Sequence, residues 1–178
     1  MSLKEKQKKT KYLAVSAMLC ALGVILLSLG SLIEVLDISV ACIASLLCIY
    51  AVIEIGGVYP WLIWAVTSVL AMILLPQKTP AVFYACFAGF YPILKEKLEK
   101  RPTKVALPVK LLVFHASLLL MYAGMKLFAP AALEGDGYTW IYLAAYAVSF
   151  GVFFLYDIAL TRLITLYLYR FRNRFKLK

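Results

Sequence analysis

Charge is scarce in this chain, and negative charge scarcest. Only 16% of its 178 residues are charged, with 9 acidic side chains against 19 lysines and arginines. A soluble domain carries about a quarter charged residues and about half apolar ones. Here 64% are hydrophobic and the mean hydropathy is +0.88. So little polar side chain cannot clothe a water-facing surface, and a membrane protein is expected. The single histidine, His115, excludes a multi-histidine metal site. No aspartate-rich cluster offers magnesium ligands, and there is no G-x-S-x-G elbow, H-E-x-x-H or glycine-rich phosphate loop. No enzymatic activity, metal or cofactor is therefore expected. Cys20, Cys42, Cys48 and Cys86 form no C-x-x-C pair and all lie in apolar runs. They read as small buried hydrophobes. Nothing offers a soluble basic face with interleaved aromatics, so nucleic acid is not an expected partner.

What is present is organised around residues 57–95. Two apolar runs there, 58–75 and 81–94, flank a break bounded by Pro76 and Pro80. Each is too apolar all round for a surface helix with one wet face. The first approaches the roughly 20 residues that a spanning helix needs. The second is shorter, and must thin the bilayer, stand upright or rest on neighbours. A membrane hairpin is expected. Gly57-Val-Tyr-Pro60 opens one arm and Gly89-Phe-Tyr-Pro92 closes the other, which places both at one membrane face. Tyrosine and proline are also common at helix ends there, so the repeat carries no function by itself.

The expected architecture is all-α, an integral membrane bundle of about six helices. Residues 1–11 form a basic tail, 12–169 the transmembrane domain and 170–178 a second basic tail. The spans are 12–33, 38–55, 58–75, 81–94, 105–128 and 138–169. The first is longer than a signal peptide's apolar region, and Gly30-Ser-Leu-Ile-Glu34 is a poor cleavage site, so it is expected to be kept. The lysines before residue 12, the 95–104 loop (KEKLEKRPTK) and the C-terminal arginines all fall on one side of this map. The positive-inside rule makes that side, with both termini, cytoplasmic. Glu34, Asp37, Lys78, Glu134 and Asp136 then face outward. Anionic lipid headgroups are the natural contact of the basic ends.

Three groups of residues could carry function. Ala14, Ala17 and Ala21 form a stripe on the first helix. Small residues let a helix approach closely, either a partner's or one of this chain's own. His115 and Lys110 lie within the fifth span, and Asp157 and Arg162 within the sixth. Intramembrane charge costs about 2.5–3.5 kcal/mol at the bilayer centre, so such groups face inward and pair. Asp157 is expected to pair with Lys110 or His115, as a proton or ligand relay or as a structural clamp; Arg162 could snorkel. The outer half gathers Glu34, Asp37, Lys78, Tyr84, Tyr122, Lys126 and Trp140. Aromatic walls with a few polar anchors are how small ligands are held, although Lys126 too could snorkel.

The length, the six expected spans with both ends inside, and Ala17-Met-Leu-Cys-Ala21 together resemble the substrate-binding S component of an energy-coupling factor (ECF) vitamin transporter. That family carries an Ala-x-x-x-Ala docking motif on its first helix. The resemblance covers residue 11 to about residue 169. It implies capture of a small-molecule ligand from outside and docking through Ala17 and Ala21 on a transmembrane coupling subunit driven by two ATPases. It also implies a multi-pass protein of the bacterial plasma membrane. Two other readings stay open: a lipid-handling, scramblase-like protein using the His115–Asp157 region, and a non-transporting membrane scaffold.

Overall fold

A backbone in hydrocarbon has no water to bond, so its amides and carbonyls must pair within their own segment, which a helix achieves. The computed structural model describes residues 3–99, 102–128 and 139–171, and these are helical throughout apart from short connections. In order they form α1 (Leu3–Leu32), a 3-10 turn (Glu34–Leu36), α2 (Asp37–Glu54) and α3 (Tyr59–Leu74). Then come α4 (Thr79–Phe83), a π turn (Tyr84–Ala88), α5 (Tyr91–Glu99), α6 (Thr103–Phe128), α7 (Thr139–Leu166) and a second π turn (Tyr167–Phe171). The chain divides into two units, Met1–Pro130 and Ala131–Lys178. The expected loop at 129–137, with Glu134 and Asp136, lies outside the described residues.

Four helices, α1, α2, α6 and α7, are long and apolar enough to cross a membrane. The other two expected spans differ in kind. α3 has 16 residues. At about 1.5 Å per residue it reaches about 24 Å, short of the roughly 30 Å hydrocarbon core. The segment expected as one span at 81–94 is α4, the π turn, a two-residue turn and α5 in succession. The expected wet tail is helical too: α1 starts at Leu3 and continues through the lysines without a break. Lysine, glutamate and glutamine are good helix formers, and no proline or glycine interrupts residues 3–22.

Within the first unit α2 sits centrally, packed against α1, α3, α4, the π turn and α5. It can do so because one face is narrow. Ala41, Ala44, Cys48 and Ala51 recur at helical spacing and are all fully buried. Lipid removes the hydrophobic incentive between helices, so close approach through small residues takes its place. Glycines on α1 extend the same device. A Cβ on Gly30 would sit 3.2 Å from Val40 of α2, and one on Gly23 would sit 3.0 Å from Thr67 of α3. Gly56 and Gly57, at φ +68° and +65°, turn the chain after α2 in a conformation that side chains resist.

Ring contacts and one capping bond fix which helix ends lie together. Tyr12 of α1 meets Tyr59 of α3 edge-on at 5.7 Å, and Lys97 of α5 lies over the Trp61 ring at 5.3 Å. The N-terminal lysines and the basic end of α5 therefore share one end of the first unit. At the opposite end, the Gln77 backbone N–H donates to Ser31 Oγ at 3.0 Å. This joins the end of α1 to the connection after α3.

The second unit is α7 and the turn that follows it. Phe150 packs edge-on against Phe154 at 5.0 Å. Thr161 donates its hydroxyl to the Asp157 carbonyl at 2.9 Å, and Thr165 to Thr161 at 2.8 Å. Such back-bonding keeps hydroxyls satisfied within their own helix.

Candidate functional site

The end of the first unit away from the lysines gathers several of the expected outer residues. Ser31 closes α1 and is buried, with its hydroxyl occupied by the Gln77 amide. Asp37 opens α2 and is only 8% exposed. The first-turn amides and the positive end of the helix dipole favour a carboxylate at that position. Lys78 donates its ammonium to the Leu75 carbonyl, closing α3 where the backbone turns extended. The 3-10 turn places Glu34 in the same connection as Asp37. A Cβ on Gly124 of α6 would lie 2.9 Å from Val82 of α4. That contact brings the last turns of α6, with exposed Tyr122 and Lys126, to this end as well.

Tyr84 is placed elsewhere. It is 1% exposed, with its hydroxyl 3.1 Å from Cys48 Sγ inside the bundle. The π turn is what aims it there. Gly89 N–H donates five residues back, to the Tyr84 carbonyl, at 2.8 Å. In a regular helix that amide would bond Ala85. The Ala85 carbonyl instead accepts from the Trp64 indole of α3 at 3.1 Å. Gly89 leaves no room for anything larger: a Cβ there would come within 2.5 Å of Trp64 Cδ1. Phe90 packs edge-on against the same indole at 6.2 Å. Gly89-Phe-Tyr-Pro92 thus lies level with Trp64, more than a helical turn inward of Tyr59. It marks a break in the second arm and not its end.

Ala14, Ala17 and Ala21 are exposed, and α1 packs internally through Ser16, Leu19, Cys20, Gly23 and Leu27 instead. Ala17 and Ala21 line an open apolar groove of about 440 Å³ between α1 and α3, with Leu13, Leu62, Val66 and Leu70 as its walls. Exposed alanine between larger walls is a surface that another helix can approach closely.

Lys110 and His115 lie on α6 in the first unit, and Asp157 and Arg162 on α7 in the second. The His115 ring N–H at Nδ1 donates to the Leu111 carbonyl at 2.8 Å, which sets its tautomer. The expected pairing of Asp157 with Lys110 or His115 would join the two units. Trp140 starts α7, and its side chain lies outside the described residues. Among the described residues no three His, Cys, Asp or Glu side chains converge as a metal site.

No family model, curated protein or solved structure matches the chain.

Lys95 was not singled out by sequence reasoning. It belongs to the charged run 95–104, yet it is 0% exposed and pairs with Glu99 at 3.0 Å. The available signal was local: Tyr91, Lys95 and Leu98, at i, i+4 and i+7, share one buried face of α5, which a count of charge over the whole run hides. The small-residue face of α2 was missed as well, although its spacing is the one noticed on α1.

Proposed function

We propose that this protein is the substrate-binding membrane component of a small-molecule, vitamin-like uptake system in the bacterial plasma membrane. It crosses six times, with α3 and the α4–α5 segment completing the four long helices, and both termini are cytoplasmic. The residues around Ser31, Asp37, Gln77 and Lys78 receive the ligand from outside, with Tyr122 and Lys126 beside them. The exposed alanine stripe docks on a transmembrane coupling subunit driven by ATPases. The observation that carries this reading is that Ala17 and Ala21 line an open groove and are not consumed by the protein's own packing.

The test has two parts. Thermal unfolding of the detergent-purified protein is followed with vitamin-like and nucleobase-like compounds. A true ligand at one hundred times its Kd stabilises by about 2.7 kcal/mol, and no stabilisation by any compound counts against capture. A17L/A21L is then expected to keep the wild-type unfolding temperature while capture of a coupling subunit falls about tenfold or more, the equivalent of 1.4 kcal/mol. Unchanged capture would remove the docking face from the reading.

A further inference from the structure

The lysine-bearing end of the first unit is built from more than loose charge. α1 continues past Tyr12 as helix, so Lys6, Lys8, Lys9 and Lys11 stand at fixed heights above the ring, all exposed. Lys8 lies over the Tyr12 ring at 5.7 Å, and Tyr12 meets Tyr59 at 5.7 Å. Two residues along α3, Trp61 carries Lys97 over its face at 5.3 Å. Tyr12, Tyr59 and Trp61 are half-buried, so each shows part of its ring beside an exposed ammonium. Residues 3–12 contain one acid, Glu5, against five lysines. On α5 the Glu99 carboxylate is held by Lys95 at 3.0 Å.

We propose that this rim of Lys8, Tyr12, Tyr59, Trp61 and Lys97 is a binding surface for anionic phospholipid headgroups. Amphipathic rings settle at headgroup depth, where one side is apolar and the other wet. The rings fix the level of the phosphates, and the cation–π contacts hold two ammoniums at that level. At about 1.5 Å per residue, Lys8 stands about 6 Å above Tyr12, inside the Debye length of about 8 Å at physiological salt, and Lys6 about 9 Å above it, at the edge of that length. Each lysine so placed gains about fivefold in affinity for an anionic surface. An unstructured tail would spread the same charges over varying heights.

The experiment reconstitutes the full chain into liposomes of equal phosphatidylcholine and phosphatidylglycerol, extracts it in mild detergent and quantifies the retained lipid. Phosphatidylglycerol is expected to be enriched about fivefold or more. Substituting the two rim lysines together with the three exposed α1 lysines beside them, K6Q/K8Q/K9Q/K11Q/K97Q, should bring the ratio near unity. R170Q/R172Q/R174Q, which removes charge elsewhere in the sequence and leaves the aromatic rim intact, should lower it less than the lysine set does. Raising salt to about 0.5 M on the wild-type protein should lower the enrichment, and this arm decides if the lysine variant does not fold. No enrichment, enrichment that survives the lysine substitutions, equal loss in the arginine variant, or indifference to salt would each overturn the proposal. These readouts use neither a transport ligand nor a coupling subunit, so they stand apart from the uptake reading.

Discussion

Trp64 ties the two arms of the hairpin through one side chain. Its indole N–H satisfies the Ala85 carbonyl that the π turn releases, and its ring packs edge-on with both Phe90 and Trp61. Trp64→Phe keeps much of the apolar contact and removes the donor. In a dry interior a carbonyl deprived of its partner costs about 1–3 kcal/mol. The variant should unfold correspondingly earlier on heating in detergent; an unchanged transition would mean that the bond contributes nothing. This residue is also where sequence reading falls short. Tyr59 and Trp61 were recognisable as rim aromatics from their place at a helix end. Trp64 has the same composition signal, but its partner is created by an i to i−5 bond in another segment. Tyr84 moved from an expected outer pocket to the interior for the same reason.

At the scale of elements, the sequence showed where apolar helices run but not which faces they bury. α2, α6 and α7 follow the apolar runs closely and α1 contains its run, because run length and hydropathy are properties of a single segment. The faces depend on pairs of segments. Two stripes of small residues with similar spacing meet different fates. Ala41, Ala44, Cys48 and Ala51 on α2 form the core, while Ala14, Ala17 and Ala21 on α1 stay outside. One substitution separates them. Ala44→Leu drives three extra carbons into a fully buried seam, and overpacking of that kind costs about 1–3 kcal/mol or more. Ala21→Leu adds the same atoms to an open groove and should leave the unfolding temperature near that of the wild type. Equal destabilisation in the two variants would contradict the assigned faces. Charge patterning misled in a parallel way, since the run at 95–104 reads as solvated although Lys95 turns into the bundle.

For the molecule as a whole, the positive-inside map is testable through the first unit. Ring contacts set the α1 lysines and α5 at one end, and the Ser31–Gln77 bond marks the other. Single cysteines in place of Gln7 and Glu96 should therefore report one compartment, and a cysteine in place of Val35 the opposite one. With a membrane-impermeant maleimide on intact cells, only the Val35→Cys protein is expected to label above the wild-type background. Labelling of Glu96→Cys from outside would invert the membrane orientation. Of the helices that join the two ends, α1 is the longest, an unbroken rod of 30 residues. No proline or π turn interrupts it, so a displacement at one end is expected to reach the other. A tilt imposed at the lysines is therefore expected to shift Ser31 and its bond to Gln77 at the far end.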